Sequence, residues 1–153
     1  MSKKLTSVML RTLIGAGIFM VLVFAAGVAV GRLAGQGAVD KDQALVWLVG
    51  AIAVVAMVGA MVVSVAWMRA IDEAAREAHK AAWFWGGCGG MSLGGVALIM
   101  TSLPQSAQWS FTAFNGRTDP AAYAATGAFL MMMLMVAGYS VVWAWWWLTR
   151  MRD

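Results

Sequence analysis

Four stretches of this chain carry no ionised side chain: residues 12–31 (20 residues), 43–68 (26), 81–116 (36) and 120–149 (30). A helix rises ~1.5 Å per residue and the hydrocarbon core of a bilayer is ~30 Å thick, so about 20 apolar residues suffice to cross it. Each run meets that length. The third is too long for one straight span, and Pro104 divides it, because a proline ends or kinks a helix near the preceding residue. The pattern therefore predicts transmembrane helices over approximately 11–33, 43–68, 82–103 and 120–148, within a single four-span membrane domain over 1–153. The expected fold is all-α, with four transmembrane helices in an antiparallel bundle. Composition agrees: 62% of residues are apolar and 12% charged, where a soluble domain has about a quarter charged.

The first run follows Lys3, Lys4 and Arg11. A cleaved secretory signal would share that basic front, but its apolar region usually runs only ~7–15 residues. This one is longer and is closed by Arg32, so the span is expected to be retained. Residues 32–42, RLAGQGAVDKD, read as a turn between neighbouring helices, with Asp40 and Asp42 placed where acidic groups favour the next helix's N-terminus. Residues 104–120, PQSAQWSFTAFNGRTDP, form a longer connection. Its Trp109, Phe111 and Phe114 suit a segment lying at the membrane surface. Asn115-Gly116 marks a turn, Asp119 a helix cap and Pro120 the first helical position.

The segment between the second and third runs concentrates the charge. Asp72, Glu73, Arg76, Glu77 and Lys80 recur at spacings of three and four, which aligns them along one helix surface. A charged helical cytoplasmic connector between helices 2 and 3 is expected here, and with His79 these residues make the candidate partner contact. The chain's one histidine has no second histidine to pair with, and Glu77 two residues away points elsewhere on a helix. His79 thus reads as a titrating surface group rather than a ligand. The lone Cys88 excludes an intramolecular disulfide and reads as a small buried residue.

Small residues recur at four-residue intervals in three spans: Gly27, Gly31 and Gly35; Ala56, Ala60 and Ser64; Gly86, Gly90 and Gly94. Such stripes let helix backbones approach closely, so they are the candidate helix-packing residues, within the chain or between copies of it. Trp47, Trp67, Trp83, Trp109, Trp143 and Trp147 are the candidate interfacial anchors, since tryptophan favours the headgroup level. The methionines of MMMLM, residues 131–135, point around a helix and cannot by themselves gather a thioether metal site.

Orientation follows from the basic residues. With the termini and connector on one side, that side holds Lys3, Lys4, Arg11, Arg69, Arg76, Lys80, Arg150 and Arg152, against Arg32, Lys41 and Arg117 opposite. The excess places both termini in the cytoplasm; the compact four-span design with minimal loops gives the expectation of a bacterial-type inner membrane. The net charge of +4 is explained by this asymmetry, and no basic groove with stacking aromatics points to nucleic acid.

The apolar runs of the four predicted spans contain no Asp, Glu, Lys, Arg or His, and buried groups of that kind are what ion pathways and proton relays ordinarily use. That argues against a proton-coupled exporter of the small multidrug type, which relies on a membrane-embedded glutamate in its first helix, and against a four-helix haem protein. A quinone-linked disulfide oxidoreductase lacks its paired cysteines here, and a membrane glutathione transferase its arginine-rich helix face. No catalytic residue, metal site or cofactor is expected. The expected role is that of a non-catalytic integral membrane subunit or interaction protein of a larger assembly, with membrane lipids and partner subunits, or further copies of itself, as contacts. The alternatives are a small oligomeric transporter or channel, lined by Ser64, Ser92, Thr101, Ser102, Thr126 and Ser140, and a protein that binds a lipid, quinone or pigment.

Overall fold

The computed structural model describes residues 3–150, and among them every regular element is helical. In chain order these are α1 (Lys3–Gly35), α2 (Lys41–Ala70), α3 (Glu73–Ala81), a π-helical turn (Ala82–Gly87), α4 (Cys88–Thr101), two 3-10 turns (Pro104–Gln108 and Phe114–Gly116) and α5 (Pro120–Arg150). Because α3, the π turn and α4 run on without a break, four helices are long and apolar enough to cross a membrane: Lys4–Gly35, Lys41–Ala70, Glu73–Thr101 and Pro120–Arg150. Large side chains on them stand open, with Leu13 69%, Phe24 75% and Trp47 73% exposed. Each such side chain would forgo about 1.5–3 kcal/mol in water, and hydrocarbon removes that cost. The protein is an integral membrane protein by this measure. Arg152, counted above among the basic residues, lies outside the described residues.

The chain divides into two compact units, Met1–Asp72 and Glu73–Asp153. In the first, α1 packs on α2 across a five-residue turn. Gly37 makes the turn possible: its φ of 71° is the left-handed conformation that glycine adopts without penalty. There the Ala38 amide donates to the Leu33 carbonyl (3.0 Å) and the Gly37 amide to that of Ala34 (3.1 Å), satisfying carbonyls that α1 leaves unpaired at its end. Asp40 then caps α2, accepting from the Gln43 amide at 2.8 Å. α2 stops where Ile71 turns extended (ψ 158°).

In the second unit the helix 73–101 packs on α5. The charged segment expected as a separate connector is the opening of this third membrane helix, which starts at Glu73 rather than near 82, and Asp72 lies in the break before it. The physical reason is burial: Ala78 and Ala82 are both 0% exposed, so the helix is already in contact where its charges are densest. The buried apolar side chains among the described residues are all alanines, Ala113 and Ala122 being the others. Helix contact here is made by small residues, not by a large-side-chain core.

Candidate functional site

Ala78, Ala82, Gly86, Gly90 and Gly94 are all buried and recur every fourth residue. In an α-helix each four-residue step overshoots a full turn by about 40°, so four steps would swing the stripe roughly 160° around the axis. The π turn at Ala82–Gly87 corrects this drift. Its i→i+5 hydrogen bonds make a wider turn that rotates less per residue, and the stripe returns to the same side. α5 lies against it. A Cβ added at Gly86 would fall on the Gly138 carbonyl, and one at Gly138 on the Gly86 carbonyl. At Gly90 it would overlap the Leu134 carbonyl and come within 2.8 Å of the Met135 Cα, and at Gly94 it would strike the Met131 side chain. Only glycine allows backbones this close. Met131, whose flexible thioether fills irregular gaps, covers the last step, while Met132 and Met133 stay exposed.

The same packing brings His79 to α5. His79 is half-buried, not the freely exposed group expected of it, and its Nδ1 is hydrogen-bonded to the Tyr139 hydroxyl. With a neutral imidazole the tyrosine O–H donates and Nδ1 accepts. The two rings stack at 5.8 Å and 21°. One turn later Trp83 tilts against the same tyrosine at 5.1 Å and 43°. Gly87 gives Trp83 its room, since a Cβ there would lie 2.9 Å from the indole Cε3. Histidine, tyrosine and tryptophan thus form one polar-aromatic cluster at the mouth of the third helix, immediately before and within its π turn.

With one side of α3 held in this way, the other is exposed. Glu73, Glu77 and Lys80 are exposed, and Lys80 Nζ pairs with Glu77 Oε1 at 2.6 Å. Exposed pairs of this kind contribute little to stability. Arg76 is half-buried. Cys88, expected to be buried, is exposed, because it sits midway between Gly86 and Gly90 and so on the far side of the helix from both.

The other predicted residues are distributed more widely. A Cβ at Gly27, Gly31 or Gly35 would meet nothing within 4 Å. Ala56 and Ala60 line a groove against α1, and Ser64 is exposed. Trp47, Trp83, Trp109 and Trp143 are exposed, Trp67 and Trp147 half-buried; Trp143 meets Trp147 at 6.3 Å. The hydroxyls of Ser92, Thr101, Ser102, Thr126 and Ser140 each donate to a carbonyl four residues back on their own helix, the common local use of such groups in membrane helices. Among the described residues no group of three or more His, Cys, Asp or Glu side chains could hold a metal ion. Gly138 and Tyr139 escape sequence reasoning because neither belongs to a repeat: the positions four residues either side of Gly138 are Leu134 and Val142. The small residue at every fourth position from Ala78 to Gly94 is the available signal.

The loop before α5 is tied down at its end. The Phe114 amide donates to Thr126 Oγ1 at 3.0 Å, and the Phe114 ring meets Phe129 edge-on at 5.0 Å. Gly116 takes a φ of 68°. Asp119 Oδ1 accepts from the Ala122 amide at 3.1 Å, while Arg117 grips both carboxylate oxygens at 2.7 and 3.0 Å. The Arg117 hydrogen bond holds the Asp119 carboxyl below its ordinary value, and the Ala122 amide adds to this. A depressed carboxyl stabilises the fold above its unfolded pKa of ~3.9 and loses that contribution as pH falls through the folded value. Amide exchange at Ala122 and Tyr123, corrected for intrinsic rates, is therefore expected to stay constant from about pH 7 to 5 and to accelerate below about pH 4. Asp119→Asn should abolish the dependence, and an unchanged profile in that variant would assign it elsewhere.

Comparison of the chain with protein-family models, with curated proteins and with solved structures finds no match.

Proposed function

We propose that this chain is a non-catalytic interaction protein of a bacterial-type inner membrane, an antiparallel four-span bundle with both termini cytoplasmic, which contacts a partner subunit through the charged face of α3. The observation that carries this reading is the fixing of α3 from behind. Ala78 and Ala82 are fully buried and His79 is bonded to Tyr139, so Glu73, Glu77 and Lys80 project in a set order from a helix that cannot roll. A merely solvated helix end needs no such restraint. The excess of basic residues on the side holding α3 and the termini supports its cytoplasmic placement. Of the hydroxyls that would line a conducting path, those of Ser92, Thr101, Ser102, Thr126 and Ser140 are engaged with their own backbones, which weighs against a transporter.

Native mass spectrometry of the protein extracted gently from its own membranes tests the reading. A stoichiometric second subunit is expected with the natural chain and is expected to be lost from the Glu73→Lys/Glu77→Lys variant, while helix content stays unchanged. Like charges brought together across an interface cost several kcal/mol, so the loss should be near complete. A homo-oligomer with no second subunit would overturn the reading in favour of a transporter or channel, to be followed by solute flux in vesicles.

A further inference from the structure

The first unit carries a feature that this reading does not use. Between α1 and α2 runs a groove of about 690 Å³, floored by Gly15, Ala16, Ala56, Gly59 and Ala60 with Phe19 at its side. At one end it adjoins a second space of about 510 Å³ bordered by Lys4, Ser7, Arg11 and Arg69. Val8, Arg11 and Ala66 line both spaces, so the two adjoin. Where the glycines of α4 draw two backbones together, those of this groove do not: a Cβ at Gly15 or Gly59 would meet nothing within 4 Å. The small residues keep the groove open, and the helices do not close over it.

From these observations we propose that the groove between α1 and α2 holds one anionic phospholipid, its phosphate at Lys4, Arg11 and Arg69 and an acyl chain along the small-residue floor. Three features select this occupant. The first is charge: three cations border the mouth, and no carboxylate is among the residues that line either space. Basic pockets between membrane helices on the cytoplasmic side are where anionic headgroups bind, and arginine's planar fork suits a phosphodiester. The second is the change of character along the groove, from cationic at the mouth to a lining that beyond Arg11 and Thr12 is apolar, which matches the order of headgroup and chain in a lipid. The third is length. From Val55 to Ala66 α2 contributes 11 residue steps to the apolar part, about 16 Å at ~1.5 Å each, close to the ~15 Å half-thickness of a hydrocarbon core.

The test is native mass spectrometry of the protein released from nanodiscs of phosphatidylcholine containing a minor fraction of phosphatidylglycerol. The natural chain is expected to retain one phosphatidylglycerol in clear preference to phosphatidylcholine. A cation near an anionic headgroup contributes roughly fivefold in affinity, so Arg11→Gln/Arg69→Gln should weaken retention about thirtyfold, and Arg11→Lys/Arg69→Lys should restore most of it. Gly59→Phe, at a position where an added Cβ meets nothing within 4 Å, should displace both lipids by filling the chain-binding part. Equal retention of the two lipids by the natural chain would overturn the proposal. So would displacement of phosphatidylglycerol by an equal concentration of water-soluble glycerophosphate, which would make this a simple phosphate site. A dimer that Gly59→Phe dissociates with no loss of lipid would give the groove to a second copy of the chain.

Discussion

Gly86→Ala and Gly90→Ala are expected to destabilise the second unit by about 1–3 kcal/mol each, whereas Gly89→Ala and Gly127→Ala should stabilise it by about 0.5–1 kcal/mol. The substitution is the same in all four cases and lies in a membrane helix, so propensity alone predicts the same favourable sign. Surroundings reverse it. At Gly86 and Gly90 the new methyl would occupy the carbonyl of Gly138 or of Leu134, and backbone atoms cannot turn aside as a side chain can. The helices must separate, and the shift propagates along the stripe. At Gly89 and Gly127 the methyl enters open space. Leucine at Gly86 or Gly90 should exceed the upper end of the alanine range, and Gly138→Ala should match Gly86→Ala, because each glycine faces the other's carbonyl. Unfolding in mixed detergent, followed by circular dichroism, measures all of these. If the four alanine variants shift stability in the same direction, the close approach of α4 and α5 is not what holds the unit.

That contact shows what a sequence of this kind discloses. Four uncharged runs of 20 to 36 residues specify four membrane helices because hydrocarbon tolerates no other backbone arrangement for an isolated segment. Turn chemistry at Gly37, Asp40, Asp119 and Pro120 is equally local and equally legible. The glycine stripe 86–94 is visible as a spacing, but its partner is not. The same spacing occurs at Gly27, Gly31 and Gly35, where nothing lies within 4 Å, and the sequence offers no way to tell the occupied stripe from the open one. Gly138 meets Gly86 because α5 supplies a single gap at the right height, and one glycine makes no pattern. The π turn is hidden for a related reason. It compensates for a period of four held from Ala78 to Gly94, and that period becomes evident only when alanines of a charged segment and glycines of an apolar one are read as one series. His79 was the hardest to place: its neighbours in sequence are charged, and the group that defines its role lies 60 residues away.

Tyr139→Ala should be at least as damaging as the glycine-to-alanine changes, at about 2–4 kcal/mol, the range for removing a large aromatic discounted for partial exposure. It would remove the hydroxyl from His79 and the ring from both His79 and Trp83. The two contributions can be separated. Tyr139→Phe keeps the ring and loses the hydrogen bond, and polar contacts between membrane helices measure about 0.6 and at most about 1.7 kcal/mol, so a loss in that range is expected. His79→Leu instead leaves the tyrosine hydroxyl half-buried without its partner, which costs about 1–3 kcal/mol. Removing both polar groups should then be less harmful than the sum of the single changes, since no orphaned donor or acceptor remains. A double-mutant cycle of His79→Leu and Tyr139→Phe measures this directly, with a coupling of about 1 kcal/mol expected. The cycle also bears on the charged face. If the pair restrains α3, an electron-spin label at Glu77 should gain mobility in Tyr139→Phe and more in Tyr139→Ala, while a label at Gln43 in the other unit does not change. Additive single changes together with an unmoved label would mean that burial of Ala78 and Ala82 alone fixes α3, and that the histidine and tyrosine are merely adjacent.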